Sequence, residues 1–103
     1  MLKQYFKHAP EKIIEDVCEL KEQRHSNMLG IEFLIDPNVY PSDRFRSSRF
    51  LIKELTGLLK GLDVCDMGCG PGIVGLAALY DGAKSVVQVD INAHAVKNAK
   101  HNC

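Results

Sequence analysis

The feature that most constrains this chain is a short apolar run, Leu62, Val64, Cys65 and Met67, that leads straight into Gly68-Cys69-Gly70-Pro71-Gly72. Bounded by Gly61 and Gly68, the run reads as a strand buried on both faces of a parallel sheet. After the glycines, Ile73, Val74, Leu76, Ala77, Ala78 and Leu79 form a helix too apolar for a surface, ended by Asp81-Gly82. Residues 86–89 then give a second buried strand that finishes on Asp90, and residues 93–100 resume helical spacing, with Ala95, Val96 and Ala99 on one side. Strand, glycine loop, helix, strand, helix is the opening of a Rossmann-like α/β fold with a parallel sheet. Such units wind right-handed and set the first loop at the carboxyl ends of the strands, where open α/β sheets bind ligands.

Glycines in that loop permit a tight turn, let a ligand approach the main chain, and offer it amide hydrogens at the start of the next helix. Asp90 lies 18 residues beyond Gly72 at the end of the neighbouring strand. A carboxylate there can accept hydrogen bonds from both hydroxyls of an adenosine ribose. Two glycine registers compete. Gly70, Gly72 and Gly75 fit the dinucleotide pattern, in which the backbone cradles a pyrophosphate. The other register takes Gly68, Gly70 and Gly72, with Asp66 two residues before the first. A carboxylate aimed into the loop repels a pyrophosphate but favours a ligand bearing an ammonium and a sulfonium.

The run Val64-Cys65-Asp66-Met67-Gly68-Cys69-Gly70-Pro71-Gly72-Ile73 resembles the first motif of class I S-adenosylmethionine-dependent methyltransferases. Val89-Asp90-Ile91-Asn92, with Ala93, Val96, Asn98 and Ala99, is similar to the acidic second-strand motif of their small-domain branch. That branch includes release-factor glutamine, ribosomal-protein and ribosomal RNA guanine methyltransferases. Val39-Tyr40-Pro41-Ser42-Asp43 resembles the segment by which it covers the cofactor. The resemblance spans residues 39–103 and implies an enzyme that uses S-adenosyl-L-methionine to methylate a protein side chain or an RNA base. By position, Asp66 would hold the methionine amino end, directly or through water. Gly68, Gly70 and Gly72 would admit the cofactor, Asp90 would grip the ribose, and Ile91 would pack on the adenine. The plainer readings are that the glycines serve only a turn, that Asp90 caps the helix after Asn92, and that Ile91 is core. Two other functions stay open: an oxidoreductase fragment binding NAD or FAD through Gly70, Gly72 and Gly75, and a non-catalytic scaffold with the methyltransferase fold.

Methyl transfer is an in-line displacement, so the catalytic groups are those that hold the nucleophile. In this branch they lie after the fourth strand in an Asn-Pro-Pro-Tyr type motif. The chain's prolines are Pro10, Pro37, Pro41 and Pro71. The motif is therefore absent, the catalytic residues are unknown, and the expectation is the N-terminal β-α-β-α half of a methyltransferase domain. Two strands leave a face and an edge uncovered. Association with another copy, or with a missing C-terminal half, follows as an expectation.

The resemblance does not extend to residues 1–38. Within residues 10–24, Ile13, Ile14, Val17, Cys18 and Leu20 recur at helical spacing, and Ser26-Asn27 with Gly30 mark an exit into a loop. Ile31, Phe33 and Ile35 suggest a short strand. A proline-bearing linker follows, and then a helix over residues 46–60 whose apolar face is Phe50, Leu51, Leu55, Leu58 and Leu59, stopped by Gly61. The organisation expected is a helical N-terminal segment, 1–38, before a cofactor-binding half domain, 39–103.

Thirteen acids cancel thirteen bases, so net charge argues for neither nucleic acid nor membrane. The distribution is uneven: residues 41–60 carry five bases against two acids. Arg44, Arg46 and Arg49 among them read either as a solvated helix start or as a contact for a carboxylate or polyanion. Cys18, Cys65, Cys69 and Cys103 lack paired spacing and read as free thiols, with no metal site. No apolar run approaches a membrane span and the start lacks a secretion signal, which points to the cytoplasm.

Overall fold

A computed structural model describes residues 22–103. Most of the helix expected over 10–24 lies outside the described residues. Its described end is not helical: Arg24–Met28 is a strand, β1, paired antiparallel with β2, Ile31–Ile35. Ser26 and Asn27, read as a loop entrance, therefore sit inside a hairpin. Its turn is Leu29-Gly30, with φ of +53° and +87°, the double left-handed geometry that matches the twist of paired strands. The Asn27 side chain steadies it by accepting the Gly30 amide at 3.1 Å. Leucine seldom adopts that conformation, and no apolar alternation marks β1, so local pattern pointed elsewhere.

The hairpin owes its place to long-range partners. The Arg24 guanidinium forks onto the Asp43 carboxylate, and the Ser26 hydroxyl donates to the same group at 2.8 Å. Met28, Phe33 and Ile35 then share one buried core with Ile52, Ile73, Leu76 and Ala77. The described residues on either side of position 38 thus belong to one core.

Pro41 and a 3-10 turn, Ser42–Arg44, lead into α1, Ser47–Leu55. The helix was expected to reach residue 60 and stops earlier. Thr56 leaves helical geometry, and Asp81 accepts the Gly57 and Leu59 amides at 2.7 and 2.9 Å, which fixes a turn there. Its apolar face is also not the one expected. Ile52 is the buried residue of α1, whereas Phe50 and Leu58 are both 65% exposed. With the helix ended at Leu55, residues 58 and 59 no longer continue its face.

The expected β-α-β-α unit follows: β3, Asp63–Met67; α2, Ile73–Tyr80; β4, Ser85–Val89; and α3, Ala93–Asn102. β3 and β4 pair in parallel, Asp63 opposite Ser85 through Met67 opposite Val89. Five residues of α2 are buried, as its composition requires. The strands differ from expectation, because only one face of each is covered. Val64, Asp66, Val86 and Gln88 point toward the helices, while Met67 and Val87, 71% and 57% exposed, face outward. Helices line one side of this sheet and nothing among the described residues lines the other.

α3 holds the hairpin through asparagines. Asn98, fully buried, donates to the Leu34 carbonyl and accepts the Asp36 amide, both at 2.8 Å. One turn later Asn102 accepts the Leu34 amide at 2.8 Å and donates to the carbonyls of Leu34 and Pro71. Two side chains four residues apart on a helix thus do for the β2 edge what a neighbouring strand would do. Through Pro71 they also tie that edge to the glycine loop.

Candidate cofactor site

The loop between β3 and α2 is closed by its own amides. Gly68 and Cys69 both donate to the Val89 carbonyl, at 2.7 and 3.0 Å, and Gly72 donates to Cys69 at 2.9 Å. Gly70 donates to the Asp90 carboxylate at 3.0 Å. Each of these four loop amides thus has an acceptor on β4, on Asp90 or within the loop, and of the amides at the start of α2, which were expected to face a ligand, that of Gly75 is taken by Asp66. A loop so satisfied is a poor phosphate cradle.

Three of the proposed glycines adopt left-handed conformations, but for two different reasons. Gly68 and Gly70, at φ of +69° and +54°, have open space where a Cβ would stand, and both line a cavity of about 620 Å³. Gly72, at +85°, does not line it. A Cβ there would stand 2.8 Å from the Ala99 Cβ and 2.9 Å from the Ala99 Cα, so this glycine lets the loop lie against α3.

Asp66 and Asp90 both face the same cavity, joined by Ile91, Met67, Tyr40 and Ser42. Its volume lies within the roughly 300–1,000 Å³ usual for small-molecule sites. Asp66 sits at the inner face of β3 and accepts the Gly75 amide at 3.1 Å, in the first turn of α2. Burial raises its pKa; the Gly75 amide and the Gln88 side chain pull the other way, and the Asp90 charge adds to the rise. Asp90 accepts the Asn92 amide on its second oxygen at 2.8 Å. The helix cap is Asn92 itself, whose side chain accepts the His94 amide at 3.0 Å. Each carboxylate oxygen has two lone pairs, so Asp90 retains acceptor capacity toward the cavity. Ile91 is 71% exposed and is therefore not core.

The sequence reading missed Gln88, taken as part of an apolar strand. Its side chain donates to the Gly72 carbonyl at 2.9 Å, and a Cβ on Gly75 would stand 2.3 Å from its amide nitrogen. A side chain at position 75 would displace Gln88 and its bond to Gly72. A polar residue within a run of valines was the available signal. Cys69, also in the cavity wall, has its thiol pKa pushed up to about 11 by burial and by the Asp66 and Asp90 charges. It remains protonated at neutral pH and is no nucleophile there. Cys65, Cys69 and Cys103 are free thiols; Cys18 lies outside the described residues.

Comparison with known proteins narrows what such a site belongs to. The family model of the ribosomal protein L11 methyltransferase (PrmA) matches residues 50–103. The chain belongs to this methyltransferase family. A Methanocaldococcus jannaschii protein described as a candidate protein N5-glutamine methyltransferase is 41% identical over 73 residues, covering 71% of this chain and 36% of that protein. The ribosomal protein L11 methyltransferase of Porphyromonas gingivalis is 31% identical over 93 residues, 86% of this chain and 32% of its own length. Among solved structures, a SAM-dependent methyltransferase from Agrobacterium tumefaciens superposes with a TM-score of 0.57 at 27% identity, over 81% of this chain and 28% of that one. The ribosomal protein L11 methylase of Lactobacillus delbrueckii subsp. bulgaricus gives 0.51 at 33% identity, over 66% and 35%. The chain thus spans about a third of these curated relatives.

The family membership covers the glycine loop, β4 and α3 together. It sets aside the dinucleotide reading, and the geometry gives the physical reason. In that register a pyrophosphate would meet the start of α2, where the Asp66 carboxylate already occupies the Gly75 amide.

Proposed function

We propose that this chain is the cofactor-binding part of an S-adenosyl-L-methionine-dependent methyltransferase that modifies a protein side chain. The supporting observation is that two carboxylates, Asp66 and Asp90, and two open glycines, Gly68 and Gly70, line one cavity whose loop amides are already engaged. Such a wall suits a cationic nucleoside and disfavours an anionic one. In this reading Asp90 accepts the ribose hydroxyls, and Ile91 offers an apolar surface to the adenine. Asp66 attracts the amino end, and Gly68 and Gly70 leave room for the ligand backbone. Gly72 acts behind the loop. The cofactor, when bound, supplies a methyl group on a sulfonium; the chain's own residues bind and orient it.

The protein acceptor is supported by what the named relatives methylate, and with it a cytoplasmic setting. An RNA base is the second reading, resting on the basic residues 44, 46 and 49. Radiolabelled methyl transfer into a ribosomal extract by the full gene product, followed by protease or ribonuclease, separates the two: label should survive ribonuclease.

Calorimetric titration tests the site. S-adenosylmethionine and its demethylated product should both bind, and Asp90→Ala should weaken each by about tenfold or more, the loss of about two hydrogen bonds. Asp66→Asn should weaken the sulfonium form more than the neutral thioether. NAD should not compete. No binding of either ligand to a folded sample overturns the proposal.

A further inference from the structure

The misplaced apolar face of α1 opens a second surface. Arg46, Arg49, Phe50 and Lys53 fall within one arc of the helix at spacings of three, four and seven residues, and all four are exposed. The span from Arg46 to Lys53 is about 10 Å at 1.5 Å per residue. Together with the hairpin they wall a groove of about 550 Å³. Among the described residues its single carboxylate is Asp43, which is already matched by Arg24 and Ser26, so the cations of the groove are not neutralised by it. Phe50, 65% exposed, stands between those cations and contributes little to the core.

We infer that this groove binds single-stranded nucleic acid, with Arg46, Arg49 and Lys53 on the phosphates and Phe50 as a stacking platform for a base. Positive charge alone would suit any polyanion. A bare aromatic ring set among the charges suits one whose own rings are free to stack, which excludes a duplex and gives an acidic peptide no advantage. The cationic stripe on α3 provides the contrast. There Lys97, Lys100, His94 and His101 face Glu22 and Asp36 across a hollow, so carboxylates answer the charge, and no Phe, Tyr or Trp lies among them. That is an ordinary solvated face. The α1 groove also lies close to the cofactor cavity, because Ser47 and Ser48 from the first turn of the same helix line it.

The inference does not rest on the methyltransferase reading, and it is tested without cofactor. Fluorescence anisotropy with a labelled, mixed-sequence, 12-nucleotide single-stranded RNA should show binding by the full chain. Three phosphate contacts at about 0.7 each predict a slope of about −2 in log affinity against log salt. Arg46→Glu, Arg49→Glu and Lys53→Glu together should abolish binding. Phe50→Ala should weaken it about tenfold while Phe50→Tyr keeps it, the range expected for stacking. Lys97→Glu with Lys100→Glu should change nothing. The Phe50 pair leaves charge unaltered, so the test stands even if the triple reversal fails to fold. Equal affinity of wild type and Phe50→Ala, equal binding of a polyglutamate of the same charge, or equal loss in the α3 variant would each overturn the inference.

Discussion

At Gly72 two demands meet that elsewhere in the loop come singly. Its φ of +85° is a conformation that side chains adopt at a cost, and a Cβ would stand 2.9 Å from the Ala99 backbone. Gly70 has the first demand without the second, since open space surrounds it. Gly70→Ala should therefore cost about 1 kcal/mol of stability, from conformation alone. Gly72→Ala should cost about 3 kcal/mol, because the backbone it meets cannot yield. Urea denaturation of the two variants checks the difference, and the ranking matters more than either value. Asp43 yields a prediction in pH. Burial opposes its charge, but hydrogen bonds from Arg24 and Ser26 and the Arg24 charge outweigh burial and hold the carboxyl below its ordinary value. Between the lowered folded pKa and the ordinary unfolded one, near 3.9, the unfolded chain binds more protons. The contribution is thus present above about pH 4 and is lost as pH falls through the folded value. In Asp43→Asn the loss of stability from pH 5.5 to 3 should be shallower than in the parent, as measured by urea midpoints.

Among the elements, α3 carries more than its sequence pattern suggests. Asn98→Ala should cost about 2–4 kcal/mol, since it empties a fully buried site, strands the part-buried Asp36 amide and removes a bond to Leu34. Hydrogen exchange should speed up first at the Asp36 amide, while the amides of β3 keep their protection. A reading of Ala95, Val96 and Ala99 on one side captured the helix but not its buried face, which is Ala95, Asn98 and Ala99 with Val96 43% exposed, because asparagine's worth here depends on a strand edge more than sixty residues away. The same distinction runs through the fold. β3, α2, β4 and α3 were legible because each is set by local periodicity and by the glycines between them. The hairpin's first strand was not, because Arg24 and Ser26 become strand residues only through Asp43. α1 was placed correctly at its start and wrongly at its end, where Asp81, from beyond β3, dictates the stop. In the site, Asp66, Gly68, Gly70, Asp90 and Ile91 line one cavity. Gln88 and Gly72 act from behind the loop, which spacing does not distinguish.

For the molecule as a whole the open side of β3 and β4 is the unbalanced feature. Met67, Val87 and Val89 are 71%, 57% and 38% exposed, and an apolar sheet face that no described residue covers is an association surface. We propose that another copy of the chain, or the remainder of a longer domain, covers it. Light scattering across a concentration series should show self-association of the 103-residue chain, and Val87→Glu should suppress it; a monomer that unfolds cooperatively would refute the proposal. The carbonyl of Val89 bears on the same sheet in another way. It takes the amides of both Gly68 and Cys69, so the bend is anchored to the last rung of the strand pairing. Slippage of β4 by one position would turn Asp90 to the opposite side and release the bend in the same movement. The alignment of two strands and the competence of the hollow are therefore a single property, and a variant that loosens the first should forfeit the second before the protein unfolds.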